Sequence, residues 1–322
     1  MTNIMNAVVA FAQAVQQAAP PTGQGGPGGP GGPPPGFSYT EAFTQLVEFI
    51  GYFLAIGAVG FRYGVVRRIR GMTDDARTIL HPDNAALLGI IGVLLLALSA
   101  LGGPYMASIA EHKTFAEALP KKLAPFEFKL AMLALAFVGF AMVRATPAPG
   151  WIIAAIGVLF TVLQPLYTGR LAGKVNAVHI LAASTWLGTL LVLTIVGIRG
   201  VIHRATAAEQ RALIVADLVN SFSPLALTSA TIVALTGLTT AWLHLKRVSA
   251  LYTTSYGITL MIKLVFVLIV VLLGAFNWKR VRPTLGAEGT ENTIRRSSRM
   301  ELTFGALVLL ATSVLVTLPS PR

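Results

Sequence analysis

The chain has 322 residues, of which 54% are hydrophobic and only 12% charged; a soluble domain carries about a quarter charged residues, so an ordinary soluble fold is excluded and apolar side chains must face lipid as well as one another. The formal net charge of +12 comes from 25 Lys and Arg against 13 Asp and Glu, and its placement reads as a topology signal and anionic-lipid contact, with no role for nucleic acid. There is no cysteine, which excludes disulfides, thiolate metal sites and cysteine nucleophiles.

Residues 1–19 come first. From Ile4 to Ala19 the segment is uncharged, with Asn6, Gln13, Gln16 and Gln17 on one face of a helix. It is short for a span and lacks the basic start of a secretory signal. It reads as a short amphipathic helix at the interface or docked on a partner, the alternative being a half-inserted segment. Residues 20–36 hold 8 Gly and 7 Pro in 17 positions, too few triplets for a collagen helix and enough to make an extended tether. Ser38 and Glu41 then form a capping box that ends the tether and opens the first span.

Crossing about 30 Å of hydrocarbon takes about 20 apolar residues in a helix. Runs of that kind extend from Phe43 to Val66, Ala85 to Ile109, Phe126 to Ala145 and Gly150 to Thr168, within a first membrane region of residues 37–170. Four more, Asn176 to Ile198, Ser221 to Leu245, Ile258 to Val281 and Glu301 to Leu318, belong to residues 171–322. The expectation is an all-α polytopic membrane helical bundle of about eight transmembrane helices. Fifteen of the 25 basic residues, from Arg62, Arg67, Arg68, Arg70 and Arg77 to Arg295, Arg296 and Arg299, fall on one side of this arrangement. Cytoplasmic loops are the basic ones, so the chain is expected to be multi-pass in the cytoplasmic (inner) membrane, with both termini outside.

Of the four tryptophans, Trp151, Trp242 and Trp278 sit where an aromatic belt would place them. Trp186 is in mid-span, seven residues after His179 and so on nearly the same helical face; a large packing residue beneath a helix-end histidine is the simpler reading. His112, His179 and His244 share the outer side, with His179 opening the fifth span and His244 closing the sixth at similar depth. Two imidazoles on adjacent helices suit a shared metal ion or a haem, while headgroup or backbone hydrogen bonds explain them equally well. Met106 and Met261, on the same side, offer thioethers, although methionine in a membrane core is usually packing. The ionisable residues inside spans, Glu48, Glu127, Lys129 and Lys263, are costly there and are functional candidates by default, with snorkelling and pairing as the plain alternative. The only echo of a phosphate loop, Gly169 to Val175, has the wrong spacing, and no hydrolase motif occurs. The chain is not expected to be an enzyme.

The stretch His179-Ile-Leu-Ala-Ala-Ser-Thr-Trp186-Leu-Gly188 resembles the signature of the copper-resistance protein D (CopD) family. Phe222-Ser223, Leu235-Thr236-Gly237, Thr254-Ser255-Tyr256-Gly257, Lys263, Asn277 and Arg295 to Glu301 follow in order, so that the resemblance covers about Lys174 to Pro321. It implies a helical inner-membrane protein associated with copper uptake or supply, with His179, Trp186, Tyr256, Lys263 and Asn277 as the matching positions and His179 as the foremost ligand. The resulting expectation is copper handling at an outer-side site of His179 and His244, supplemented by Met106, His112 or Met261. A non-catalytic subunit of a larger membrane complex, docked through its N-terminal segment, is the second reading. A haem-binding electron-transfer subunit is the third and the weakest.

Overall fold

The computed structural model describes residues 9–11, 13–14, 38–69, 73–110, 127–205, 207–245, 247–281, 283 and 290–319. The described residues form helices, in the order α1 (Tyr39–Gly60), α2 (Asp74–Leu80), α3 (Ala85–Ala110), α4 (Glu127–Met142) and α5 (Pro147–Thr168). The second half continues with α6 (Leu171–Arg204), α7 (Ala208–His244), the short α8 (Ala250–Thr253), α9 (Ser255–Phe276) and α10 (Thr290–Thr317). Seven of them, α1, α3, α5, α6, α7, α9 and α10, are long and apolar enough to cross a membrane. The eighth expected span appears as α4, whose 16 described residues lie against α5. The chain is a polytopic helical membrane bundle.

Helix ends follow the local chemistry. Ser38 accepts the Glu41 amide at 3.3 Å, as its capping position requires. Thr254 does the same for Gly257 at 3.0 Å, which explains the opening of α9 at Thr254-Ser255-Tyr256-Gly257. Helices α7 and α10 begin well before the apolar runs that announce them, because their first turns are amphipathic. In α10 the buried Ile294, Ser298 and Glu301 recur at i, i+4 and i+7, leaving Arg296 and Arg299 exposed.

Helices α1 and α6 form the centre. Where they cross, a Cβ on Gly57 would strike the Gly188 backbone, and one on Gly188 would strike the Phe53 carbonyl. Helix α6 is not a uniform α-helix: Ser184–Gly188 and Leu193–Ile198 are π turns. On one flank of this pair lie α3, α4 and α5; on the other, α7 leans on α6 while α9 lies along α10, itself packed on α1. Helices α7 and α9 meet at one end, where Ala241 and Leu245 pack on the cluster containing Tyr256 and Leu260.

The same cluster holds Ala42 and Leu46 from the start of α1, Val314, Leu315 and Leu318 from the end of α10, and Phe11 against its edge. The start of α1 and the end of α10 therefore lie at one end of the bundle. At the opposite end, Arg204 donates to the Ile79 and Leu80 carbonyls at 3.0 and 3.3 Å, tying the close of α6 to α2. This is the arginine-rich end.

One tryptophan departs from the belt expectation. Trp151 is 1% exposed; its Nε1 donates to Asp83 at 3.1 Å and its ring meets Phe140 edge-on at 5.7 Å. A partner carboxylate on the turn that follows α2 lets the indole enter the core with its N–H satisfied. Trp242, 81% exposed, and Trp278, 48% exposed, face outward as a belt requires.

Candidate functional site

At the end opposite the arginines, His179 leaves α6 and lies against α7. Its Nδ1 is 3.0 Å from Thr236 Oγ1. Because that hydroxyl donates to the Ile232 carbonyl at 2.6 Å, it accepts from the imidazole, and the proton belongs on Nδ1. The ring fits because residue 237 is glycine: a Cβ there would stand 3.2 Å from His179 Cε1. Lys263, half-buried on α9, is within electrostatic reach of the ring.

His244 is bound differently. Its Nδ1 is 2.8 Å from the Thr240 carbonyl, an acceptor only, so this ring too carries its proton on Nδ1. It stacks on the buried Tyr256 with centroids 6.2 Å apart. In that tautomer Nε2 of each ring bears the lone pair of a base or metal ligand. They are not at one level, however. Gly237, beside His179, and His244 are seven residues apart on α7, about 10 Å along its axis. Each imidazole holds a separate hydrogen bond there.

The other candidates disperse. Met261 is 47% exposed and stands two residues from Lys263, hence on the opposite face of α9 from that lysine. Met106 belongs to the last turns of α3, and His112 lies outside the described residues. Among the described residues no group of three His, Cys, Asp or Glu side chains gathers to hold a metal. Glu127 is exposed. Glu48 and Lys129 are ion-paired at 2.6 Å, with the Tyr52 hydroxyl on the same carboxylate and the Lys129 Nζ 5.8 Å from the Tyr52 ring centroid.

Toward the arginine-rich end, the divergence of α7 from α9 leaves a cavity of about 770 Å³. Its walls include Trp186 from α6, Phe222 and Ser223 from α7, Asn277 from the π turn that ends α9, and Ser298 and Glu301 from α10. The Asn277 side-chain amide donates to the Glu301 carboxylate, and Ser297 Oγ donates to Asn277 Oδ1 at 2.6 Å. Glu301 is 6% exposed, a carboxyl group held inside the bundle by the Asn277 amide. Sequence reasoning took Glu301 as the boundary of the last span; its spacing from Ile294 and Ser298 was the signal that it faces inward. In the wall formed by α7, Ser223 Oγ bonds back to the Val219 carbonyl at 2.8 Å, and the next residue, Pro224, supplies no N–H to the helix.

Most of the polar residues that meet in these two places, among them His179, Thr236, Tyr256, Asn277 and Glu301, come from the ordered set noted in the second half of the chain. Residues 216–315 match the family model of Copper resistance protein D. The C-terminal region is of the CopD family. Phe222, Ser223, Thr236, Gly237, Tyr256, Lys263, Asn277 and Glu301 lie inside the CopD match, whereas His179, Trp186 and Gly188 precede it. The chain is also 26% identical over 143 residues to the copper transport protein CutJ of Bacillus subtilis (strain 168), a similarity covering 44% of this chain and 24% of that protein. It therefore spans about a quarter of the length of the curated relative it matches. No solved structure matches it.

Proposed function

We propose that this chain is a transporter-type membrane protein, not an enzyme, whose cargo is copper. The observation that carries the reading is the convergence of Phe222, Ser223, Asn277 and Glu301, dispersed over the CopD region, on one cavity within the bundle, together with Trp186. His179 receives the ion through Nε2, a ligand atom suited to copper, with His244 nearer the surface as a preceding stop. Met106, His112 and Met261 are the further ligands to test. Beyond Trp186 the cavity offers Glu301, whose carboxyl oxygens can ligate a cation and whose ionised form an arriving cation would itself favour in a low-dielectric site. The basic bias places the arginine-rich end in the cytoplasm, so that passage from His179 to Glu301 is uptake across the cytoplasmic membrane.

The test is copper accumulation by proteoliposomes and copper content of the purified protein after loading with Cu(I). Wild type accumulates copper above empty vesicles, and His179→Ala lowers both readings tenfold or more. Glu301→Gln, which keeps the amide bond to Asn277, lowers accumulation but leaves binding at His179. Accumulation no greater than that of empty vesicles, or wild-type rates in both variants, overturns the reading.

A further inference from the structure

A second cavity, about 910 Å³, opens at the arginine-rich end, and the copper reading gives it no task. Its walls are helix ends at one level: the π and 3-10 turns that follow α1 (Phe61–Val65 and Val66–Arg68) with Arg62 and Arg67, α2 and its following turn with Arg77 and Asp83, and the first two turns of α5 with Trp151 and Ile152. That level is the membrane–water interface, since three spans start or stop there.

The charge is one-sided. Three guanidiniums face one carboxylate, Asp83, which already accepts the Trp151 N–H. Among the described residues the ion pair formed is that of Lys129 with Glu48, elsewhere in the bundle, so none of the three arginines has a carboxylate partner of that kind. The walls are also braced. Arg204 holds the end of α2, Phe140 fixes the Trp151 ring, and His81 turns the chain with a φ of 44°, a left-handed conformation that is costly for a residue with a side chain. Among the described residues, three guanidiniums to one carboxylate on braced walls make a set of forked donors that suits a phosphate ester, which accepts from guanidinium bidentately.

The outer lip shows which phosphate ester. Ile152 lines the cavity and is 54% exposed; Ile156 and Phe160 continue its stripe down α5 at i+4 and i+8, both exposed as well. A polar, cationic chamber at the interface thus opens onto an apolar strip running toward the bilayer interior. We propose that this cavity binds the headgroup of an anionic phospholipid, its phosphate held by Arg62, Arg67 and Arg77 and its acyl chains lying on the Ile152–Ile156–Phe160 face. Basic pockets between spans at a membrane interface take such headgroups, and the volume is within the range of small-molecule sites.

The experiment is native mass spectrometry of the full chain released from nanodiscs that contain phosphatidylglycerol and phosphatidylcholine. Wild type retains phosphatidylglycerol in preference. Arg62→Gln and Arg77→Gln each lower that retention about fivefold, while Arg296→Gln, an exposed arginine at the same end but outside the cavity, leaves it unchanged. Arg77 is exposed, so its substitution tests the site even if Arg62→Gln fails to fold. Millimolar inorganic phosphate does not displace the lipid. Equal retention of the two lipids, no loss in Arg77→Gln, or displacement by inorganic phosphate would each overturn the proposal.

Discussion

Lys129 shows how a single residue is decided inside this bundle. Its ammonium lies 2.6 Å from Glu48 across two helices, and the two side chains are 11% and 19% exposed. Removing one partner of a largely buried pair leaves the other charge uncompensated, whereas replacing both removes the desolvation cost with the attraction. Lys129→Met is therefore expected to destabilise the protein by about 3 kcal/mol, read as a lowered thermal midpoint in detergent. The double variant with Glu48→Gln should recover most of the loss. A midpoint unchanged in Lys129→Met would show that the pair carries no such weight. Both residues stood out in the sequence as ionisable groups within spans, but their pairing bridges 81 positions and no local pattern connects them. Trp151 teaches the same lesson in reverse. Its position fitted an interfacial belt, and only Asp83, 68 residues away, accounts for its burial.

At the scale of the element, the crossing of α1 and α6 depends on two glycines. Gly188 ends a π turn and meets the Phe53 carbonyl so closely that a Cβ cannot be accommodated unless the backbones separate. Overpacking of this kind costs about 1–3 kcal/mol and occasionally more. Gly188→Ala should lower the thermal midpoint clearly, because the atom in the way is main chain and cannot rotate aside. Gly274, in α9, has nothing within 4 Å of an added Cβ, and alanine is the better helix former. Gly274→Ala should leave the midpoint unchanged or raise it. Equal effects from the two substitutions would refute this account of the crossing. The glycine of the His179 to Gly188 stretch was visible as part of a motif, and its packing role became visible only with Gly57 opposite. The π turns had no sequence signal of the 3.6-residue kind, since a wider turn changes which residues share a face without changing composition.

Across the whole molecule the two ends differ in kind. One gathers the start of α1, the end of α10, His179 and His244; the other gathers most of the arginines and both cavities. A chain with no native cysteine allows this to be tested with single reporters. Arg67→Cys and Pro283→Cys should be labelled from one side of sealed vesicles by an impermeant maleimide, and Leu171→Cys and Val248→Cys from the other. Labelling of Arg67→Cys and Leu171→Cys from the same side would contradict the threading of the helices.

The membrane class, the helical spans, the alternation of their ends and the family of the C-terminal region were determined by the sequence alone, because they depend on composition, run length and local order. Tertiary structure decided the rest. It placed His179 on Thr236 and Gly237, separated it from the level of His244, and drew Asn277 and Glu301 into one cavity with Trp186. The physical reason is that apolar helices in lipid resemble one another in hydrophobicity. Their neighbours are selected by small residues, hydrogen bonds and close backbone approach, and these are interactions between positions that the chain keeps far apart.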